Sequence, residues 1–295
     1  MDEQTLNDYI KSGRIAAEAL NYGKSLIKPG ASLFDTTKQI EAKIKELGGS
    51  LAFPVQMSCD DIAAHFCPEL GDKIVFDKQL VCLDVGVHIN GCIGDTAATV
   101  DLSGDHKELI IASQDALSNA LKIIRPGVAL WEIGKVIQET IASHGFSPVR
   151  NLSGHGLDKF NIHSSPSIPN FDTGDKTELV DDQVIAIEPF ASAGSGIIYE
   201  SGNPTIFQLV QKKPVRHIFA KQILGEIEHF GELPFAKWWL QEKFGVPKVD
   251  FALRELGNMG IIRSYPPLVD KAHGLVSQAE HSLIVKDKSI VFTRI

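Results

Sequence analysis

The chain echoes itself at an offset of about a hundred residues, and this limits its fold more than any single motif does. Lys28-Pro29-Gly30 is followed by Leu33-Phe34-Asp35, Lys38, Ile40, Ile44 and Gly48; Arg125-Pro126-Gly127 is followed by Leu130-Trp131-Glu132, Lys135, Ile137, Ile141 and Gly145. Each copy reads as a Pro-Gly stop, apolar residues at helical spacing, and a glycine where the helix ends. The helix before each stop repeats in kind: Leu6, Ile10, Ala17 and Leu20 in one, Ala112, Ala116, Ala120 and Ile123 in the other. Pro54-Val55 then precedes His65 and Pro68, as Pro148-Val149 precedes His163 and Pro166. Gln79-Leu80-Val81-Cys82-Leu83-Asp84 finds its partner in Gln183-Val184-Ile185-Ala186-Ile187-Glu188. Two matching helices arise easily by chance. Helix, helix, histidine and acidic strand in one order do not. The pattern predicts a duplicated α+β unit with pseudo-two-fold symmetry and a site between its halves.

The echo breaks after Glu188. From about Asn203 to Val269 the sequence becomes helix-like and aromatic, with Phe235, Trp238, Trp239, Phe244 and Phe251. Pro204, Pro214, Pro234 and Pro247 cut it into short elements, with a helix expected over Val249–Met259. Strand-like sequence returns at Gly274–Val285 and Ser289–Phe292. The expected organisation is residues 1–202 together with 270–295 as one body, and 203–269 as a helical insert in its second half.

Asn90-Gly91 is a strong two-residue hairpin signal between the runs that carry Asp84 and Asp95. If it forms the turn, Ile89 pairs with Cys92, Asp84 lies opposite Ala97, and Asp95 is the diagonal neighbour of Asp84 on one sheet face. Taken alone, the hairpin is equally well read as a solvated face with two ordinary aspartates. Glu188 and Glu280 shift the balance, because each also sits in an apolar strand. Like-charged acids in such settings are tolerated where protons or cations neutralise them. Four of them with a histidine form a ligand set for two hard or borderline divalent ions, which would polarise a carbonyl and supply a bridging hydroxide. Among the ten histidines, His65, His155 and His163 are the candidates: two are paired by the echo, and glycines flank His155. His106, His144, His217 and His229 sit in polar or helix-end contexts and read as surface residues.

Composition excludes several other classes. The net charge of -8 gives no general affinity for nucleic acid phosphates. The start is acidic, and no run reaches about eighteen apolar residues, so neither secretion nor membrane insertion is expected. Cys59, Cys67, Cys82 and Cys92 form no C-x-x-C pair, which points to reduced thiols in a cytoplasmic protein. No G-x-S-x-G, H-E-x-x-H, P-loop or dinucleotide fingerprint is present.

Together, Ala52-Phe53-Pro54-Val55, Ile62-Ala63-Ala64-His65, Leu83-Asp84-Val85-Gly86-Val87-His88, Gly94-Asp95-Thr96-Ala97, Asn151-Leu152-Ser153-Gly154-His155, Ile187-Glu188-Pro189-Phe190 and Gln278-Ala279-Glu280-His281 resemble the pita-bread methionine aminopeptidases, in nearly the whole chain and in the family's order. The long stretch between Glu188 and Glu280, with Tyr265-Pro266-Pro267-Leu268 at its end, resembles the type 2 branch. The absence of a polybasic extension resembles its short archaeal form. The resemblance implies two divalent metal ions (cobalt, manganese, iron, zinc or nickel) held by Asp84, Asp95, His155, Glu188 and Glu280, with Asp95 and Glu280 bridging. It also implies Glu188 as general acid/base, His163 at the oxyanion and His65 at the scissile amide. Phe53, Ile162, Phe190 and Tyr265 would line a methionine pocket together with those histidines. The implied partners are Met-initiated peptides and nascent chains, met by a monomer with at most a transient ribosome contact. No membrane and no specific nucleic acid enter.

Three rivals stand beside this reading. A proline-directed peptidase of the same fold would carry a sizeable domain ahead of Asp84, for which there is no room. A pseudo-peptidase used as a binding module would have lost metal ligands, and all five are present. Purely structural carboxylates are the third, and buried unpaired acids are rare.

Overall fold

The computed structural model describes residues 1–294. Its helices are α1 (Glu3–Leu26), α2 (Leu33–Glu46), α3 (Lys107–Ile123), α4 (Leu130–Ser143), α5 (Ile218–Ile227), α6 (Lys237–Phe244) and α7 (Val246–Asn258). None is long and apolar enough to cross a membrane. The helix pairs α1–α2 and α3–α4 are the two copies of the echo.

Their likeness extends to individual hydrogen bonds. Gly30 N–H donates to the Phe76 carbonyl at 2.8 Å, and Phe76 N–H to the Ala31 carbonyl at 2.9 Å. Gly127 N–H donates to Leu179 at 2.8 Å, and Leu179 N–H to Val128 at 2.9 Å. Both glycines hold φ near +90°, at +88° and +85°, which a Cβ would penalise. The helix starts differ in one respect. Ser32 caps α2 by accepting from Asp35 N–H at 3.2 Å, whereas its counterpart Ala129 cannot, and Glu132 reaches back to the Ala129 N–H at 3.0 Å.

In the first half, strand Leu80–Ile89 pairs antiparallel with Cys92–Asp101 along its length and with Ser50–Leu51 and Gln56–Cys59. Ile15, Leu20, Ile40, Ile44, Val81, Leu83, Val85 and Val87 bury the helices against this sheet. In the second half a five-stranded sheet runs Ile290–Val291, His281–Ile284, Val184–Ile187, Ser153–Asp158, Asn161–Pro169, under α3 and α4. Side chains stitch the halves together. Thr96 Oγ1 donates to the Glu280 carbonyl at 2.9 Å, Thr99 Oγ1 to that of Gln278 at 2.8 Å, and Ser282 Oγ to that of Asp95 at 2.8 Å. The acidic strands therefore meet at the seam.

Segment 203–269 differs from the sequence expectation. Besides α5–α7 it contains a three-stranded antiparallel sheet of Phe235–Ala236, Ile206–Leu209 and Ile262–Tyr265. Strands of two to four residues are too short to show alternation. The expected helix over Val249–Met259 starts three residues earlier, because Gly245 at φ +84° ends α6 and Pro247 fits a first turn where no N–H is needed. The segment has a core of its own, including Phe207, Ile223, Ile227, Phe235, Leu240 and Leu256.

Glu41 of α2 ties this segment to the first half, accepting from Trp239 Nε1 at 2.8 Å while its Oε1 is buried without a partner. Burial pushes its carboxyl up to about 8, against the Trp239 hydrogen bond and the nearby Lys45 charge, while Glu242 adds to the rise. The unfolded chain gives up this proton near pH 4.3 and the folded one near 8, so folding loses stability as pH rises through that window. Replacing Glu41 with Gln is expected to shrink this loss by an amount on the order of a few kcal/mol. Urea unfolding of both proteins at pH 5.5 and 8 measures it; a stability gap that does not change with pH would rule it out.

Candidate metal centre

The hairpin forms in the expected register. Asn90 and Gly91 both take positive φ, +51° and +88°, as the mirror-image turn demands. Ile89 pairs with Cys92, Asp84 with Ala97, and Asp95 with Gly86, one diagonal step from Asp84. On the other side of Asp84 lies Gln56, whose Oε1 accepts the His65 N–H at 2.7 Å. This bond holds His65 at φ +64°, an unusual value for a side chain of this size.

The second half brings its residues to the same place. His155, on Ser153–Asp158, has Nε2 at 3.8 Å from Asp95 Oδ2 and 3.6 Å from Glu188 Oε1. Its Nδ1 faces the Gly156 carbonyl at 3.2 Å; donation there leaves Nε2 as the free ligand atom. Glu188 follows Val184–Ile187, and its Oε2 accepts from Gln278 Nε2 at 3.2 Å. Asp95, His155 and Glu280 each offer a ligand atom within 4.8 Å of the others, and all three are buried.

The electrostatics are adverse without a cation. Burial raises Asp84 to about 7. Asp95, Glu188 and Glu280 rise well above the usual carboxylate range, first through burial and then through the Asp84 charge; Glu188 also raises Asp95 and Glu280. Asp84 Oδ1 and Asp95 Oδ1 are buried with no hydrogen-bond partner. Four acids and a neutral imidazole, with two carboxylate oxygens unpartnered, fit bound divalent cations in their chemistry. Burial lowers His155 to about 3, which keeps it in the neutral form a ligand requires.

Asp84, Asp95, His155, Glu188 and Glu280 all line a cavity of about 220 Å³, as do His65, His163, Phe53, Ile162, Phe190 and Tyr265. One end is closed and apolar: Phe53, Ile162, Phe190 and Ile206 are each under 5% exposed, and Pro234 is buried beside them. The other end opens past Ala64, Asn151, Leu152, Ser153, His163 and Tyr265. Tyr265 neighbours both echo-paired histidines, its ring 5.3 Å from His65 and 6.5 Å from His163. Burial lowers His65 to about 4, helped by His163; burial and then Arg263 lower His163. Both are neutral N–H donors near pH 7.

Gln56, Ile206 and Pro234 also line the cavity, and the sequence did not mark them. Ile206 and Pro234 come from segment 203–269, which folds back over the seam, and a lone apolar residue carries no spacing signal for such a contact. Asn170, behind the cavity, was not marked either: its Nδ2 donates to the carbonyls of Leu152 at 3.1 Å and Glu188 at 3.2 Å, joining two walls. Cys59 and Cys67 do not line the cavity; Cys67 lies fully buried against Trp238.

The sequence matches the profile of metallopeptidase family M24 over residues 7–217. A curated methionine aminopeptidase of Archaeoglobus fulgidus is 41% identical over 295 residues, covering 99% of each chain. A solved methionine aminopeptidase of Thermotoga maritima superposes with TM-score 0.72 at 22% identity, covering 100% of this chain and 98% of that one. A thermophilic Arx1 superposes with TM-score 0.88 at 15% identity, over 99% and 91%; at such identities these two speak for the fold.

Proposed function

The chain belongs to metallopeptidase family M24, and within it to the methionine aminopeptidases; from that premise we propose that it removes the initiator methionine from peptides and nascent proteins in the cytoplasm. The reading is of the short archaeal type 2 kind, with 203–269 as an insert that completes the substrate pocket. Supporting it is the joining, in one cavity, of a five-donor acidic cluster with a closed apolar end.

Asp84, Asp95, His155, Glu188 and Glu280 would hold two divalent cations. Bound there, the ions supply Lewis acidity and an activated water at neutral pH. Phe53, Ile162, Phe190, Ile206 and Pro234 receive the methionine side chain, with Tyr265 flanking it on the open side, and their apolar surfaces suit a thioether. The cavity ends behind that side chain, so only a chain's first residue fits. Neutral His163 donates to the carbonyl oxygen as it gains charge, and His65 contacts the scissile amide. Glu188, steadied by Gln278, takes the proton from the attacking water and passes it to the leaving nitrogen.

The experiment is reconstitution of the stripped protein with each of cobalt, manganese, iron, zinc and nickel, followed by assay on Met-Ala-Ser and on Xaa-Pro peptides. Methionine release that depends on metal is the expected result. Cleavage of the Xaa-Pro peptides alone would transfer the protein to the proline-directed class. Metal binding without any turnover would make it a binding module.

A further inference from the structure

Tyr265, the last residue of strand Ile262–Tyr265, lines the cavity mouth. Arg263 and Tyr265, two residues apart, project to the same face of that strand. Arg263 pairs across the sheet with Gln208, whose Oε1 accepts the Tyr265 hydroxyl at 2.5 Å. Arg263 thus neighbours the tyrosine that packs against His65 and His163, and its charge reaches both Tyr265 and His163. Arg263 is exposed and makes no ion pair with any acidic side chain among the described residues. Away from the mouth it lines a surface groove with Arg254, Lys237 and Asn258. Lys237 is committed to Glu69 and Asp250, at 3.1 and 3.0 Å; the exposed Arg254 has no such partner among the described residues.

A polypeptide seated with its first side chain at the closed end has a single way out, past His163 and Tyr265. Extended chain advances about 3.3–3.6 Å per residue, so the third and fourth residues of the substrate come within reach of a long arginine side chain. Arg263 is an unpaired cation on that side, on a protein of net charge -8. We infer that Arg263 is a specificity residue favouring substrates with a carboxylate at the third or fourth position. This rests on the aminopeptidase reading.

The test uses C-terminally amidated pentapeptides beginning Met-Ala, with Glu, Gln or Lys at position three or four, and Met-Ala-Ser as free acid beside its amide. In the wild type, kcat/KM is expected to fall from Glu to Gln to Lys by about two- to fivefold per step, as befits one exposed charge pair. The difference should sit in KM and fade at high salt. In Arg263→Gln the Glu-to-Gln ratio collapses to one, and in Arg263→Glu it inverts. The free-acid tripeptide outpacing its amide, with the pentapeptides flat, would move the preference to a terminal carboxylate and overturn the side-chain assignment. A Glu-to-Gln ratio that survives Arg263→Gln sinks the proposal, as does a wild type indifferent to charge while still releasing methionine. Release from none of the peptides would bring down the aminopeptidase reading and this inference together.

Discussion

Glu188→Gln is expected to lower kcat by about 10³-fold or more while leaving the fold intact, because one carboxylate is asked to do two things. It lies 3.6 Å from His155 Nε2, inside the acidic cluster, and in the proposed mechanism it carries the proton across the cleavage. The amide keeps the size and can still meet Gln278, so the sheet around it has no reason to rearrange. What disappears is an anionic donor and a proton acceptor. His163→Ala is the informative contrast. It removes one hydrogen-bond donor at the cavity mouth and no donor from the cluster, so a loss of about 10²–10³-fold in kcat is expected with metal content unchanged. Single-turnover rates and metal analysis on both variants separate the roles. Full turnover by Glu188→Gln would remove that residue from the chemistry.

How much of this was readable beforehand depended on the range of the contacts. The Asn-Gly turn fixes the register of its own hairpin, so the relation of Asp84 to Asp95 could be counted out along two strands. The echo could be read because each half must bury α1–α2 or α3–α4 against strands in the same way, down to the paired Gly30 and Gly127 bonds. That argument says the acidic strands occur twice; it does not say how they meet. The meeting is made by Thr96, Thr99 and Ser282, small polar residues whose bonds span some 180 positions of sequence and which look like any other hydroxyl in a strand. Ile206 and Pro234 were invisible for a related reason. Their neighbours in the chain belong to a separate core, and only the folding of 203–269 back over the seam gives them a cavity to line. Its short sheet was lost to helix-like aromatic spacing, since pairing partners such as Ile206 and Tyr265 are nearly sixty residues apart.

Removing metal from the wild type, and removing one charge from the metal-free protein, are expected to act on stability in opposite directions. Asp84, Asp95, Glu188 and Glu280 share one buried space; burial pushes each upward, and the Asp84 charge adds to the rise of the other three. In the stripped protein these acids bind protons that the unfolded chain has already released, so stability declines as pH rises from about 4 through the folded value of Asp84 near 7 and beyond. Divalent cations reverse this. At a thousandfold excess over the dissociation constant, a single bound ion contributes about 4 kcal/mol, which for a chain of this size amounts to a large upward step in Tm. Glu280→Gln should leave the stripped protein more stable than stripped wild type above pH 7, because one repelling charge has gone and the replacement amide can donate to Asp95. The same variant should gain far less from added metal, having lost a donor from the cluster with Asp95 and His155. Calorimetric melting of both proteins, stripped and loaded, at pH 5.5 and 8 gives every quantity required. Stripped Glu280→Gln melting below stripped wild type at pH 8 would mean that Glu280 is held by ordinary hydrogen bonds, and the four carboxylates would no longer need cations to account for their burial.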